Sequence, residues 1–303
     1  MLQESRNALT VDVEDYFHVS AFEDVIRPGQ WGGFDCRVAA NTRRILALFD
    51  EYGLTATFFV LGWVARRHPD LVRDIAAAGH EIACHGFGHR RIRFQTQKAF
   101  RRDVAASKAL LEDIAGRPVL GYRAPSYSIT PETAWALDVL IEEGFAYDSS
   151  IFPIVHDLYG FPGALPHPHR IRRPAGEILE FPPTTLRLRL LGRSLALPIS
   201  GGGYLRLFPA WFLQWGLGRV NRREGQPGVL YFHPWEIDPG QPRIPARLKS
   251  RFRHYLNLDK TENRLRILFE RLSFGPMGLL LAGLGPLPAI SLDQSPTPAR
   301  MER

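Results

Sequence analysis

The sequence predicts an α/β fold: a distorted or incomplete (β/α) barrel within a single domain. Three observations lead there. Over the first two thirds of the chain, short β-type runs alternate with helical patterns, the rhythm of parallel strands joined by helical crossovers. One such run, residues 55–60 (TATFFV), is apolar on both faces, as a strand covered on both sides must be. Finally, Asp12, His85, Arg123, Asp148 and His233 each stand at or just past the end of an expected strand. Chemistry gathers at the carboxyl ends of the strands in such barrels.

The elements follow in order. Residues 9–12 read as the first strand. Residues 37–52 carry Ile45, Leu46, Leu48 and Phe49 at helical spacing, and Gly53 stops that helix. After the strand at 55–60 come a helix at 71–78, ended by Gly79, and a short strand at 81–84 that runs straight into HGFGH. A helix at 98–115, a strand at 119–123, a helix at 131–143 and a strand at 145–148 continue the alternation. Residues 154–176, rich in Pro, His and Gly, then read as a surface loop, so His167 and His169 are expected to be loop residues. Residues 178–197 alternate like a β-hairpin. Gly201-Gly202-Gly203 marks a turn or a close backbone approach. A helix at 209–222, a strand at 229–233 and helices at 246–256 and 260–272 close the domain. We expect a catalytic domain over residues 1–283 and a disordered tail over 284–303, where Pro286, Pro288, Pro296 and Pro298 accumulate.

Composition narrows the function. With 45% hydrophobic and 23% charged residues the chain can build a real core. No run approaches the roughly 18 apolar residues of a membrane span, and the N-terminus lacks the pattern of a secretory signal. The expected location is cytoplasmic, with room for peripheral contact with the inner membrane. Cys36 and Cys84 form no spaced framework and read as buried small hydrophobes rather than a disulfide. The net charge of +7 comes largely from arginine pairs on expected helix surfaces, with no nucleic-acid reading motif beside them. Attraction to an anionic glycan or a membrane surface is retained.

The candidate site starts from His85 and His89. Two imidazoles four residues apart can converge on one divalent cation. Their setting is a single helical turn or, given Gly86 and Gly88, a tight loop. The acidic run Asp12-Val13-Glu14-Asp15 supplies the rest. On an extended strand Asp12 and Glu14 point the same way and Val13 the other. We assign Asp12 as general base and Glu14 as metal ligand, with Asp15 as the reserve ligand if the strand breaks early. A divalent ion lowers the pKa of bound water from 15.7 to roughly 7, so a neighbouring carboxylate can complete its activation. Arg123, fixed at a strand end before a rigid turn, is placed to pin Asp12 in its ionised form, and a turn amide there can stabilise an oxyanion. Asp148 is assigned to hold Arg123 or a histidine, with a capping role as the alternative. His233 suits a general acid that protonates a leaving amine; Asp148, Glu180 or Glu236 would orient it. Ser126, Tyr127 and Trp235 are the expected substrate contacts.

With those residues set out, the chain resembles the polysaccharide deacetylases of carbohydrate esterase family 4, which share the nodulation-type deacetylase domain. The family's ordered motifs appear in turn as TVDVED, HGFGH, RAPSY, YDSS and LYFH, across residues 8–235. VDVEDYFHVSAFE, YDSSIFP, GGGYLR and YFHPWEID are similar to the subgroup encoded with exopolysaccharide and exosortase loci. The resemblance implies a barrel of the deacetylase type and hydrolysis of the N-acetyl group of GlcNAc-type residues. Asp12 would be base, His85 and His89 ligands of a zinc ion, Arg123 the tether of the base and His233 the acid. The partner would be an N-acetylated glycan, as polymer or lipid-linked precursor, and the exopolysaccharide assembly machinery. Two departures stand out: Val13 interrupts the family's adjacent aspartate pair, and Ser126 replaces a customary tyrosine.

Other classes compete. Two histidines and a carboxylate also describe the facial triad of iron oxygenases, though the added base, arginine and terminal histidine argue against one. A catalytically inactive glycan-binding protein would have no use for both Asp12 and His233. A metal-independent amidase of the same fold, acting on small ring amides, would lack the full ligand set.

Overall fold

The structure, a computed structural model, describes residues 7–156, 159–190 and 193–292. Its first strands are β1 (Asn7–Val13), β2 (Thr57–Val60), β3 (Glu81–Cys84), β4 (Gly121–Tyr122) and β5 (Tyr147–Asp148). Then come β6 (His169–Arg173), β7 (Gly176–Glu180), β8 (Thr185–Leu190) and β9 (Arg193–Pro198). The last are β10 (Val229–Phe232), β11 (Phe274–Gly275) and β12 (Ala289–Ser291). Helices α1 (Val38–Glu51), α2 (Gly62–Arg67), α3 (Pro69–Ala77), α4 (Gln97–Ala115) and α5 (Ala136–Glu142) connect the first strands. Helices α6 (Gly203–Leu207), α7 (Ala210–Arg219), α8 (Leu248–Tyr255), α9 (Leu258–Arg271) and α10 (Met277–Gly283) follow.

The main sheet runs β10-β1-β2-β3-β4-β5-β7-β6-β12, with β11 against β1. Its pairs are parallel except β6–β7. No pairing among the described residues closes this path, in keeping with the incomplete barrel that the sequence predicts.

Strand alternation explains where the polar groups go. Along β1, Leu9, Val11 and Val13 belong to the large cluster packed under the helices, whereas Ala8 joins a smaller inner cluster with Phe59, Ala83, Val229 and Tyr231. Period-two geometry then turns Asp12 inward with Ala8, His85 with Ala83, and His233 with Tyr231. At the opposite end of the strands α10 seals the sheet. The Met277 amide donates to Thr57 Oγ1 at 2.7 Å and the Gly278 amide to Glu81 Oε2 at 3.0 Å, with Met277 buried among the inner residues.

Several parts differ from the sequence reading, which contains neither α2 nor α6. Residues 169–173 of the expected loop form β6, pairing antiparallel with β7. The expected hairpin over 178–197 is divided: 178–180 belong to β7 of the main sheet, and β8–β9 make a separate two-stranded hairpin. A disordered tail was expected from residue 284, yet β12 pairs with β6; residues 293–303 lie outside the described residues. The segments β11 and α10 had no counterpart in the periodicity, being too short to show one. Gly201 makes the close approach its sequence suggests: it bridges Tyr231, and the Gly202 amide donates to the Tyr231 carbonyl at 3.0 Å. Both cysteines are free.

Candidate active site and metal centre

The chain bends directly after β1, where the Glu14 amide donates to the Asp12 carbonyl at 2.9 Å. His85 continues β3, its amide donating to Val60 at 3.1 Å. Residues 85–89 form a loop, not a helical turn. Gly86 at φ 72° makes the reversal, and a Cβ there would lie 2.9 Å from the Asp103 carboxylate of α4. That carboxylate accepts from the Phe87 amide at 2.7 Å, and Ser107 donates to the Gly86 carbonyl at 3.0 Å. So anchored, the loop brings His89, at φ 46°, back over β1. Ligand atoms of Glu14, His85 and His89 then lie within 4.8 Å of one another.

These three residues fit a divalent cation. His85 Nδ1 is 2.8 Å from the Arg123 carbonyl, to which it donates; its Nε2 is thereby left with the lone pair, the arrangement that orients a metal-ligating imidazole. Burial pushes the His85 pKa down to about 4, against the raising effect of Asp12 and Glu14. Glu14 Oε2 is buried without an aligned hydrogen-bond donor, although His89 Nε2 lies 2.7 Å away. Burial alone would raise the Glu14 carboxyl, but the charges of His89, His233 and His85 hold it well below the usual carboxylate range.

Beside the triad, fully buried Arg123 donates Nη1 to Asp12 Oδ1 at 2.6 Å and to Thr10 Oγ1 at 2.8 Å. Its Nη2 reaches Ser149 Oγ at 3.0 Å, and its Nε the Ser149 carbonyl at 3.3 Å. Burial disfavours the guanidinium charge, but Asp12 more than compensates and raises the Arg123 pKa. Asp12 Oδ2 lies 3.9 Å from His233 Nε2. His233 Nδ1 is 3.0 Å from Glu236 Oε2, and Glu236 Oε1 accepts from Arg206 Nε at 2.5 Å. Burial lowers the His233 pKa, yet Glu14, Glu236 and Asp12 together bring it up to about 9. Glu236 itself is held down to about 2, since Arg206 and His233 outweigh its burial.

The remaining expected site residues lie as follows. Asp15 turns away from the triad: Oδ2 accepts the Arg37 and Val38 amides at 2.6 and 2.8 Å, and Oδ1 accepts the Tyr16 amide at 2.9 Å. It caps the start of α1 and is not among the residues whose ligand atoms converge, which corrects its reserve-ligand role. Asp148 holds neither Arg123 nor a histidine. Its oxygens accept from Ser150 Oγ at 2.5 Å and the Ser150 amide at 3.2 Å, while Ser150 Oγ accepts the Ala124 amide at 2.7 Å. Asp148 thus steadies the Arg123 turn through Ser150. Burial pushes Asp148 up to about 6, and burial with the Asp148 charge sends Glu180 well above its ordinary value.

Ser126 and Tyr127 line the cavity described below, both at positive φ (54° and 52°). Non-glycine residues held there are strained, and His89 shares that condition. Ser126 Oγ is 2.6 Å from Ser20 Oγ. Trp235 offers no open sugar platform, being only 4% exposed, with His233 and His254 stacked on it at ring-centroid distances of 5.1 and 4.2 Å. It backs the histidine instead. Sequence reasoning missed Arg206, whose only signal was an arginine within an otherwise apolar helix. It also missed buried His18, whose Nδ1 accepts the Asp15 amide at 2.8 Å.

A cavity of about 510 Å³ opens over these groups; Asp12, Glu14, His85, His89 and His233 form its floor. Residues 31–140 match the family model described as polysaccharide deacetylase, and residues 149–282 match a domain of unknown function (DUF3473). A peptidoglycan deacetylase of Helicobacter pylori is 32% identical over 108 residues, 36% of this chain and 36% of that protein. A chitooligosaccharide deacetylase of Rhizobium leguminosarum bv. trifolii is 41% identical over 63 residues, 21% of this chain and 29% of that protein. The chain therefore spans about a third of the length of these relatives. A polysaccharide deacetylase homologue of Mycobacterium smegmatis has a similar structure, with a TM-score of 0.61 at 20% identity over 93% of this chain and 91% of that one. The Puue allantoinase superposes with a TM-score of 0.54 at 16% identity over 93% of this chain and 91% of its own. Both show the α/β fold. The family-model match and the relatives' names support the polysaccharide deacetylase family. Of the groups that line the cavity, His85 and His89 come from the first matched segment and Arg206 and His233 from the second, while Asp12 and Glu14 precede both.

Proposed function

We propose, on the support that the match at residues 31–140 gives to the polysaccharide deacetylase family, that this protein hydrolyses N-acetyl groups of GlcNAc-type residues in a glycan. The observation carrying the reading is the convergence of Glu14, His85 and His89 beside the Arg123-held Asp12, with His233 opposite. Two imidazoles and one carboxylate suit zinc best. A divalent cation there would supply Lewis acidity to the attacking water and the amide carbonyl.

The chain's own residues account for the proton movements. Asp12 Oδ2, free of the Arg123 bond at Oδ1, takes a proton from the water whose oxygen attacks the acetyl carbon. Arg123, bonded to Oδ1, holds that carboxylate in place with Oδ2 toward the cavity. As the C–N bond breaks, protonated His233 gives its Nε2 proton to the departing nitrogen, and acetate and a free amine result. Glu236, through Nδ1, keeps the transferable proton on Nε2. The strained Ser126–Tyr127 turn faces the same space and suits the placing of the acetyl group.

The motif resemblance to the exopolysaccharide-associated subgroup supports a substrate in exopolysaccharide assembly, either the polymer or a lipid-linked precursor met in the cytoplasm. The test is acetate release from N-acetylated oligosaccharides by chelated protein with and without added zinc. Zinc-restored release that Asp12→Asn abolishes is the expected result. Bound zinc without any acetate from any N-acetylated glycan would overturn the reading in favour of an inactive binding protein.

A further inference from the structure

The mouth of the cavity leads onto an apolar, basic surface that the chemistry of deacetylation does not use. Helices α6 and α7 present Leu207, Trp211 and Trp215 at four-residue spacing, 52%, 67% and 42% exposed. Opposite, α8 presents Leu248 and Phe252, 81% and 65% exposed. Leu207 and Phe252 line the cavity itself. A run of ring contacts, Tyr204–Phe208–Phe212–Trp215, connects the cavity wall to the exposed tryptophans at centroid distances of 6.3, 4.9 and 5.6 Å. Large apolar side chains exposed together signal a partner surface.

Charge selects the partner. On and just before α8, Arg243, Arg247, Lys249, Arg251 and Arg253 are all exposed, and residues 239–258 contain no Asp or Glu. Lys249, Arg251 and Arg253 alternate with Leu248 and Phe252 and are exposed. Arg247 meets Asp24 at 3.7 Å across the solvent. Tryptophan and leucine interleaved with cations are the composition of a surface that sits in the interface of an anionic bilayer. Among the described residues no helix is long and apolar enough to cross a membrane, so contact would be from one side.

We propose that α6, α7 and α8 dock on an anionic lipid surface, with the cavity mouth turned toward it. Resting on the deacetylase reading, this makes the substrate a glycan still carried on its lipid anchor. A soluble polymer would need no such face. Attraction of the basic residues brings the protein to the headgroups, and the exposed Trp, Leu and Phe side chains enter the interface.

The experiment is cosedimentation of the full chain with phosphatidylcholine vesicles, with or without phosphatidylglycerol. Expected are pelleting with the anionic vesicles only, release by salt, and a roughly tenfold loss for Trp211→Ser/Trp215→Ser. That variant should release acetate from a soluble oligosaccharide at the parent rate. Arg247→Ser/Arg251→Ser, which removes charge and no apolar surface, should also bind less. Absence of pelleting at low salt, or pelleting that neither double variant weakens, would overturn the proposal. So would sedimentation equilibrium showing that the tryptophans instead join two copies of the chain. Binding is read without turnover, so its failure and a failure of the deacetylase reading are separate results.

Discussion

Glu236 Oε2 lies 3.0 Å from His233 Nδ1, while its partner oxygen is clamped by buried Arg206 at 2.5 Å. His233 is therefore oriented by a carboxylate three residues along its own turn, whereas Asp148 and Glu180, the other sequence candidates, lie elsewhere. Glu236→Gln keeps the shape but can present an amide N–H to Nδ1, which would favour the wrong tautomer. The expected result is a drop in kcat of about 10²-fold, within the usual contribution of a positioned general acid, with KM nearly unchanged. Steady-state acetate release measures both. Equal losses in kcat for Glu236→Gln and for a distant control would remove the orienting role.

Glu14 and Asp15 are adjacent carboxylates with opposite duties. On the proposed function, Glu14→Gln should abolish zinc binding, read by calorimetric titration, and with it the thermal stabilisation that bound zinc would give. That stabilisation is about 2.7 kcal/mol at a hundredfold excess over Kd. Asp15→Asn should bind zinc normally but unfold more easily, by roughly 2 kcal/mol, because two backbone amides at the start of α1, and the Tyr16 amide beside it, lose their charged acceptor. Zinc loss in Asp15→Asn with normal binding in Glu14→Gln would reverse the assignment.

Much of this site could be read from the chain because its information is local. His85 and His89 are close in sequence, Asp12 and Arg123 each end an apolar run, and strand parity alone turns Asp12, His85 and His233 the same way. The choice between Glu14 and Asp15 was not local, because it depends on the bend after β1 and on where α1 begins, some 23 residues later. Arg206 reaches Glu236 across 30 residues of chain, and no periodicity reports such a contact. The β6 strand was hidden for another reason. Arg170, Arg172 and Arg173 gave it a surface composition, and its pairing with β7 on one side and β12 on the other defines it instead.

Gly201 is a sharper test of the barrel edge. A Cβ there would stand 1.7 Å from the Tyr231 carbonyl oxygen, at a φ of +144° that L side chains rarely adopt. Tyr231 is two residues before His233, so any shift passes into that histidine. Gly201→Ala should lose stability by about 3 kcal/mol or more, combining overpacking with backbone strain. Urea unfolding checks this, and Gly203→Ala, where nothing lies within 4 Å, is the matched control. Equal stability of the two variants would mean that the close approach is not maintained.

The Asp148–Glu180 pair makes stability depend on pH in a direction opposite to that of ordinary ion-paired carboxylates. Burial raises Asp148 to about 6 and, with the Asp148 charge, raises Glu180 well above its ordinary value. The folded chain thus keeps a proton that the unfolded chain releases near about pH 4. The stability involved is complete below that range and is lost as the pH rises through 6 and above, at up to about 1.4 kcal/mol per pH unit per proton. Glu180→Gln retains a donor toward Asp148 but cannot ionise. Its stability relative to the parent should therefore improve steadily from about pH 5 to about pH 8. Urea unfolding of both proteins across that range measures the difference. Parallel pH profiles would show that Glu180 gives up its proton without cost, and its raised pKa would have to be abandoned.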